Sequence, residues 1–391
     1  MNKKQSHYIQ LDLIILLMLL MTVSLLAIYN AQQLGQYPGQ NFVIKQIVYF
    51  ILGILVLIAL QFIESEQLEK VSVYFYAFGI LLLFLLFISP ESLAESRNNA
   101  RRAFTGLPGL TLQPAEFTKI AFILFLASTI NKHKKKYEMN TVKSDFLLVG
   151  KIGLFTAIPI MFIFKQPDLG TSLVFIFIAG VLVLLSGIDW KILGVILVGG
   201  AAAVGLSLLL VINFPDLAEK TIGIKPYQIE RVLTWFSPEE QVSDDTFQID
   251  RSMQAVGSGQ LTGKGMGKLQ VQLPEAHTDF IYSVIGESFG FIGSAGVVFI
   301  FFLLLYKLLT LGMQALDKNP FGAYFCFGYM SLILIHTFQN IGMTIGIMPV
   351  TGIPLLFISY GGSTILSTMI GFSIVYLIAV EQSKEKEFLF N

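Results

Sequence analysis

The chain has 391 residues, of which 54% are hydrophobic and 13% charged, and its 26 basic side chains are balanced by 26 acidic ones. Soluble domains carry about a quarter charged residues, so this composition excludes an ordinary soluble domain and indicates an integral membrane protein. The single cysteine, Cys326, lies in an apolar stretch, and its being alone excludes an intramolecular disulfide bond.

About ten segments are apolar over the roughly 17–25 residues that a helix needs to cross a bilayer. The alternating pattern of a transmembrane β-barrel is absent. The predicted fold class is therefore an all-α polytopic membrane protein, a single domain over residues 1–391 without internal repeats. The first span is too long for a signal peptide and lacks a clear cleavage site, so we expect it to be retained. The predicted spans lie near residues 11–29, 43–63, 72–90, 112–131, 145–165, 169–187, 190–213, 278–306, 321–348 and 354–380.

Lysines are concentrated in alternate loops. The loop Asn131–Lys143 reads NKHKKKYEMNTVK, Lys307 and Lys318 follow span eight, and Lys384 and Lys386 lie in the C-terminal tail. By the positive-inside rule, these loops and both termini face the cytoplasm. The remaining loops, including a long one near residues 213–277 between spans seven and eight, are then expected outside the cell.

The outward loop after span three, ESRNNARRAFTG, carries Arg97, Arg101 and Arg102 against this charge bias. Guanidinium groups match the geometry of phosphate oxygens, so the loop is a candidate anion site. The alternative is that a short loop tolerates arginine on either side of the membrane. The sequence alone leaves both interpretations open.

The long loop between spans seven and eight contains two recognisable stretches. KPYQIERVLTWF, over residues Lys225–Phe236, has the amphipathic aromatic pattern of a helix lying on the outer leaflet. VGSGQLTGKGMGK, over Val256–Lys268, is glycine-rich and carries Lys264 and Lys268. Its backbone N–H groups are candidates to bind an anion, although the spacing is not that of a P-loop. A mobile lid is the alternative.

Titratable residues cluster in LPEAHTDFIYSVIGESFGFIG, where His277 and Asp279 lead into an apolar segment that contains Glu287. A helix continued from Asp279 would align four small residues within about 40° of it. Helix packing is a competing explanation for this stripe of Ser283, Gly286, Gly290 and Gly293. An ionisable group at membrane depth favours a functional role for Asp279, and an N-cap role is the alternative.

Three more polar stretches lie at outward ends of spans: LQPAEFTK, KQPDLGTS and FQNIGMTIGIMPVTGIPLLFISYGGST. Each has a structural explanation of its own, such as Asp168 capping the helix at Thr171. Together with Asp279 they predict one site that faces the exterior. His336 is expected to be hydrogen-bonded filler, and no metalloprotease or serine hydrolase motif is present. The polar candidates in these stretches are Glu116, Lys119, Asp168, Gln339, Asn340, Ser359, Tyr360 and Ser363.

These four stretches, in this order, resemble the SEDS family of shape, elongation, division and sporulation proteins, and the last stretch looks most like its RodA branch. The resemblance implies a ten-helix protein of the bacterial cell membrane that polymerises lipid II into peptidoglycan for cell elongation and rod shape. It places the family's essential aspartate at Asp279. It also implies a class B penicillin-binding protein and other elongation proteins as partners, with membrane lipid around the chain and no nucleic acid. One departure is Ala103, which stands where the family commonly has tryptophan.

As a hypothesis, Asp279 is the base that takes a proton from the acceptor sugar, and Arg101, Arg102 and Lys264 bind the diphosphate. The one cofactor considered is a divalent cation, Mg or Mn, near Asp168 or Glu116. The alternatives are a lipid II flippase, a division- or sporulation-type member of the family, and a non-catalytic scaffold. The full set of candidate substrate-binding residues is Arg101, Arg102, Glu116, Lys119, Asp168, Lys264, His277, Glu287, Gln339, Asn340, Ser359, Tyr360 and Ser363.

Overall fold

The computed structural model describes residues 9–90, 93–94, 101–107, 110–137, 141–166, 168–222, 226–236 and 244–390. Arg97 and the residues beside it therefore lie outside the described part of the chain. The helices are α1 (Leu11–Gln32), α2 (Phe42–Leu60), α3 (Ser65–Ile88), α4 (Pro114–Lys136), α5 (Val142–Lys165), α6 (Leu169–Leu185), α7 (Trp190–Asn213), α8 (Pro215–Ile222), α9 (Pro226–Phe236), α10 (Asp244–Ser258), α11 (Ile281–Ala315), α12 (Pro320–Thr344) and α13 (Gly362–Phe390). The strands are β1 (Phe104–Leu107) and β2 (Leu110–Leu112).

The ten predicted spans all correspond to helices. Among the described residues, eight helices are long and apolar enough to cross a membrane, and α6 is a shorter apolar helix of 17 residues. The tenth, α4, has 23 residues but carries two buried charged side chains and a basic last turn. The predicted all-α polytopic membrane fold is confirmed.

The connections differ from the sequence-based expectation in three places. A short antiparallel ribbon, in which Phe104 pairs with Leu112, joins α3 to α4. The long loop contains three helices, of which α9 confirms the predicted amphipathic helix. The last span begins at Gly362 rather than near residue 354, because the preceding Gly- and Pro-rich segment is non-helical.

The helices differ greatly in burial. In the most apolar windows of α12 and α13, 78% and 83% of residues are buried inside the protein, whereas the figure for α7 is 6%. Helices α12 and α13 are therefore central, and α7 is peripheral. Val211 of α7, Ala218 of α8 and Ile229 of α9 form a small apolar cluster separate from the main core.

The two ends of the helix bundle are defined by contacts between distant parts of the chain. Gln10 Nε2 donates to Ser383 Oγ at 2.6 Å, and Lys307 forms an ion pair with Asp12. The beginning of α1 and the later part of α13 thus meet at one end, which we call the basal end. Asp279 precedes α11, whereas Lys307 lies late in it, so Asp279 is at the opposite end.

Helix α11 is broken at Gly290, where φ is 64° and ψ is −160°. Lipid supplies no hydrogen bonds to a broken helix, so the freed backbone groups need protein partners. The segment after α10 provides them. The hydrogen bonds run from Phe291 N to Gln260 O (2.8 Å), from Ile292 N to Leu261 O (3.1 Å), from Lys264 N to Glu287 O (2.9 Å) and from Gly265 N to Ser288 O (2.9 Å).

Candidate active site

Asp279 lies in the turn that precedes α11 and is partly buried. The helix begins later than the sequence suggested, and its N-cap is Phe280, with no side-chain capping hydrogen bond. The alternative that Asp279 caps the helix is therefore wrong. Within the described part of the chain, the Asp279 carboxylate has no hydrogen-bond or ion-pair partner. It is available to another molecule.

The backbone around Asp279 is fixed by side chains from the α12–α13 region. Asn340 Nδ2 donates to the carbonyl oxygens of Asp279 at 2.7 Å and Ile353 at 2.9 Å. Ser359 Oγ donates to the carbonyl oxygen of Thr278 at 2.7 Å. The bonds to the carbonyl oxygens of Thr278 and Asp279 hold these two residues of the turn. In this structure, Asn340 and Ser359 thus position Asp279 through its backbone.

Gly352 lies directly beside the carboxylate. Its φ is +69°, and a Cβ atom added there would lie 3.4 Å from Asp279 Oδ2. Glycine adopts this backbone conformation at low steric cost. The absence of a side chain also leaves space next to the Asp279 carboxylate.

The electrostatic surroundings of Asp279 combine acids and cations. The pKa of Asp279 is raised to about 6, first by burial and then by the negative charge of Glu275. The positive charges of Arg102 and Arg231 lower this pKa, while Asp168 raises it slightly. A carboxyl group with a pKa near 6 is largely ionised at neutral pH yet basic enough to accept a proton.

Arg102 and Asp168 meet at the side of the site formed by the β1 loop and α6. Arg102 Nε lies 3.7 Å from Asp168 Oδ2. The other carboxylate oxygen of Asp168 accepts the Thr171 N–H at 3.1 Å, which confirms the predicted N-cap. Arg101 points elsewhere, since its Nη1 donates to the carbonyl oxygen of Ser89 at 2.9 Å.

The predicted polar stretches meet in space. A Cβ atom at Gly170 would lie 3.1 Å from the carbonyl oxygen of Thr351, so the start of α6 packs on the α12–α13 segment. Ser363 Oγ donates to the carbonyl oxygen of Thr111 at 2.8 Å and accepts the Gln113 N–H at 2.9 Å. Ser363 thus ties α13 to the end of the ribbon.

Glu116 and Lys119 are buried inside the bundle. Lys119 Nζ lies 2.8 Å from Glu116 Oε1 and 3.1 Å from His336 Nε2. His336 Nδ1 lies 2.9 Å from the carbonyl oxygen of Pro354, a pure acceptor, so Nδ1 carries the proton and Nε2 accepts from Lys119. Pro354 follows Ile353, whose carbonyl oxygen accepts a hydrogen bond from Asn340. The contacts among Glu116, Lys119 and His336 therefore support the segment that holds Asp279.

Lys264 and Glu287 pair with each other at the α11 break. Lys264 Nζ lies 2.7 Å from Glu287 Oε1, which also accepts the N–H groups of Gln270 at 2.8 Å and Val271 at 3.2 Å. Glu287 therefore anchors the segment that leads to Asp279.

The glycine-rich stretch does not present its amides to an anion, as the sequence suggested. The N–H groups of Gly263, Lys264 and Gly265 donate to backbone carbonyl oxygens, and that of Gly267 donates to Asn30 Oδ1 at 2.9 Å. That prediction is wrong, because all four donors have protein partners and those of Lys264 and Gly265 close the break in α11.

The predicted stripe of small residues is likewise not an open groove. A Cβ atom at Gly286 would lie 3.1 Å from Val256 Cα, and one at Gly290 would overlap the backbone of Leu261 and Gly263. Close packing, the competing explanation, accounts for both glycines. A Cβ atom at Gly293 would overlap the Phe289 side chain. Gly293 also lines an apolar groove of about 410 Å³ together with Val23, Leu26, Thr262, Ile285, Phe289, Ile292 and Val297.

His277 belongs to an aromatic cluster. Its ring stacks on Phe42 at 4.3 Å between centroids, with Tyr37 at 4.9 Å and Tyr360 at 5.7 Å. Burial lowers the pKa of His277, and the charge of Glu275 opposes this. The ring is therefore mainly neutral at pH 7. Gln339 donates from Nε2 to the carbonyl oxygen of Pro349 at 3.2 Å, within the α12–α13 segment.

Comparison with known proteins agrees with this arrangement along the whole chain. A family model described as a cell cycle protein, covering FtsW, RodA and SpoVE, matches residues 4–384. This chain belongs to the FtsW/RodA/SpoVE family.

Relatives in this family are similar over nearly their full lengths. The probable peptidoglycan glycosyltransferase FtsW of Geobacter metallireducens is 31% identical, with 93% of each chain covered. The peptidoglycan glycosyltransferase MrdB of Escherichia coli is 31% identical, with 92% of each chain covered. Stage V sporulation protein E of Bacillus subtilis is 30% identical, covering 93% of this chain and 94% of that one.

Solved structures of the family have the same fold. Thermus thermophilus RodA matches with a TM-score of 0.67 and 26% identity, covering 95% of this chain and 96% of that one. A chain from a structure on the coordination of polymerization and crosslinking by a peptidoglycan synthase complex matches with a TM-score of 0.76 and 26% identity, covering 95% and 98%. The comparisons confirm the predicted enzyme class, a peptidoglycan glycosyltransferase.

The residues suggested for a divalent cation do not fit one. Asp168 is engaged by Arg102 and by the N-terminus of α6, and Glu116 is paired with Lys119 in the interior. Among the described residues, no group of three or more histidine, cysteine or acidic side chains has the arrangement of a metal site. We therefore derive no step through a metal ion for this FtsW/RodA/SpoVE chain.

Buried polar atoms near the site lack partners within the described residues. They are Gln166 Nε2, Asn340 Oδ1 and Thr351 Oγ1. Buried polar groups are normally hydrogen-bonded, so such atoms indicate where water or a polar ligand binds. All three belong to the stretches that surround Asp279.

Sequence reasoning missed Arg231 and Glu275, whose charges act on the Asp279 carboxyl group. Arg231 was hidden in a helix interpreted through its apolar residues alone. A signal was present, because Arg231 lies on the side of that helix away from the apolar residues Ile229 and Leu233. Glu275 lies four residues before Asp279 in the same stretch but was not assigned a role from the sequence.

Proposed function

We propose that this chain polymerises lipid II into glycan strands, with Asp279 as the general base. The observation that carries the proposal is the Asp279 carboxylate, which is unpartnered within the described residues, has a pKa of about 6 and is acted on by the charges of Arg102 and Arg231. In the reaction, the 4-hydroxyl oxygen of the acceptor sugar attacks the anomeric carbon of the donor. The bond from that carbon to the lipid diphosphate breaks, and Asp279 takes the hydroxyl proton.

The departing diphosphate carries growing negative charge, which a fixed cation stabilises. Arg102 is the candidate for this role because its guanidinium group is partly exposed and acts on Asp279. Arg101 and Lys264 are further candidates. Arg101 donates to the carbonyl oxygen of Ser89, and Lys264 is paired with Glu287. Inversion at the anomeric carbon follows from a single displacement.

The same proposal assigns the membrane orientation. The basic last turn of α4, together with Lys307 at the basal end, supports a cytoplasmic basal end by the positive-inside rule. Asp279 then faces outward at the bacterial plasma membrane. The partner proposed from the solved synthase complex is a class B penicillin-binding protein that crosslinks the strands. The sequence of the α12–α13 segment favours a role in elongation and rod shape.

The decisive experiment compares the purified full-length chain with Asp279→Asn in a lipid II polymerisation assay. Loss of a general base lowers rates by about 100-fold or more, so we expect almost no product from the variant. Asp250→Asn, which changes an exposed aspartate of α10, is the matched control and should retain activity. Near-normal strand synthesis by Asp279→Asn would refute the base assignment, and transbilayer movement of lipid II without product would favour a flippase.

A further inference from the structure

Helix α9 has two faces with different surroundings. Ile229 packs in the small cluster with α7 and α8, and Val232 and Leu233 pack against it. Arg231 and Trp235 are four residues apart, so they lie one above the other on the other face. Trp235 Nε1 donates to the carbonyl oxygen of Ile347 at 3.1 Å.

This hydrogen bond from Trp235 attaches α9 to the segment between α12 and α13 that borders the site. Ile347 lies in the α12–α13 segment, five residues before Gly352, which borders the Asp279 carboxylate. Arg231, one turn before Trp235, is partly buried, and its charge acts on Asp279. The helix therefore directs a cation to the same carboxylate that Arg102 approaches.

The two arginines come from separate parts of the structure. Arg102 precedes β1 and is paired with Asp168 at the start of α6, in the main bundle. Arg231 is carried by the α7–α8–α9 unit, whose apolar cluster is separate from the main core. Arg102 and Arg231 therefore bring two positive charges from different elements to act on the same carboxylate. Guanidinium pairs of this kind suit a diphosphate, which offers several oxygens at once.

We propose that Arg231 is a further substrate-binding residue, which binds the diphosphate of a lipid-linked substrate beside Asp279. The inference rests on the proposed function and adds α9 to the site. Trp235 acts as a positioning residue, since its contact with Ile347 holds Arg231 in place. The ligand chemistry is a polyprenyl diphosphate.

The test uses the purified full-length chain with Arg231→Gln, Arg231→Lys and the matched control Arg251→Gln. Arg251 is on the adjacent α10, where its guanidinium lies over Phe247 at 5.0 Å. The measurements are KM and kcat with lipid II, and inhibition by farnesyl diphosphate and by farnesol. A charged hydrogen bond contributes enough that its loss weakens binding by about tenfold or more.

We expect Arg231→Gln to raise KM and the inhibition constant of farnesyl diphosphate by about tenfold, with farnesol inhibition unchanged. Arg231→Lys should recover part of the loss, because a point charge remains without the planar fork. Removing this positive charge should also move the pH midpoint of activity upward, which a purely structural role would not do. Arg251→Gln should match the wild type in every measurement.

Unchanged inhibition by farnesyl diphosphate in Arg231→Gln would overturn the inference. So would a loss of activity that follows only from a lower thermal midpoint, with the same pH midpoint as wild type. Either result is distinguishable from failure of the proposed function, because Asp279→Asn is assayed in parallel. Absence of strand synthesis by the wild type refutes the proposed function, and an active Asp279→Asn variant refutes the base assignment. An inactive Asp279→Asn variant beside a normal Arg231→Gln refutes this inference alone.

Discussion

At the scale of single residues, the chemistry depends on keeping one carboxylate without a protein partner. Asp279 is held through its backbone, by Asn340 and Ser359, while its carboxylate oxygens stay unpaired within the described residues. Other buried acids among the described residues are paired with cations, as the pairs of Glu116 with Lys119 and Glu287 with Lys264 illustrate. A paired carboxylate is a weak base, so this division of roles favours Asp279 for proton transfer.

The pH dependence of activity should follow the ionisation of Asp279. Its pKa is raised to about 6, so the base form is lost as the pH falls through that value. Initial rates of polymerisation should therefore rise between about pH 5 and pH 7. Arg102→Gln removes a charge that lowers this pKa, so the midpoint should move to higher pH.

The control for this measurement is Arg251→Gln, whose pH midpoint should equal that of the wild type. Thermal midpoints recorded across the same pH range separate titration of the site from unfolding. A rate that stays flat over the whole range would contradict the assignment of Asp279 as the base.

At the scale of elements, the break in α11 links the site to the membrane core. The segment after α10 closes the break through backbone hydrogen bonds, and Glu287 then fixes the start of the chain that reaches Asp279. The segment is thus held at one end by α11 and at the other by Asn340. Such double attachment limits the motion of the turn that carries the base.

Gly290→Ala should destabilise the protein strongly. The residue has φ of 64° and ψ of −160°, a region used almost exclusively by glycine, and strain there costs about 1–3 kcal/mol. The added Cβ would also lie 2.4 Å from the backbone nitrogen of Gly263. We expect a lower thermal midpoint in detergent and less folded protein by fluorescence-detected size exclusion.

Gly296→Ala is the matched control, because it lies in the same helix with nothing within 4 Å of the added atom. It should equal or slightly exceed the wild type in stability, since alanine favours helices. Equal midpoints for the two variants would show that the break does not require glycine.

At the scale of the whole molecule, the candidate site and the contact between Gln10 and Ser383 lie at opposite ends of the bundle. Gln10 contacts Ser383 at the basal end, whereas Asp279, Gly352 and the start of α6 meet at the other. A site built from the ends of several helices needs all of them to cross in the right direction. The orientation in the membrane therefore decides which compartment supplies the substrate.

Thiol labelling tests this orientation. Cys326 is fully buried, so the native chain should not react with a membrane-impermeant maleimide. In a Cys326→Ser background, Gln272→Cys places a thiol at an exposed position on the segment leading to Asp279, and Lys318→Cys places one in the α11–α12 connection. Intact cells should label the first variant, while the second should react only after permeabilisation. The reverse pattern would invert the proposed topology.

The apolar runs predicted the helices well, because roughly 20 apolar residues have few stable alternatives in lipid. Helices were recovered at all ten predicted positions, eight of them long and apolar enough to span a membrane. Helix α9 and the cap at Thr171 were also recovered from sequence. The ribbon was not, since its two strands are short and lack a strong alternating pattern. The break at Gly290 was also missed, because the residues on either side of it continue the apolar pattern of a membrane helix.

The sequence by itself determined that this chain crosses a membrane many times and carries an acid where a helix emerges. It also determined the family, because the family's motifs are recognised from their order along the chain without a three-dimensional structure. Only the tertiary structure decided which polar residues reach that acid and which hold its backbone. Asn340 and Ser359 hold the backbone at Asp279, and the charge of Arg231, from the separate helix α9, acts on the Asp279 carboxyl group. The physical reason is that partners in a charge or hydrogen-bond contact are chosen by distance across the fold, which residue spacing along one chain does not specify.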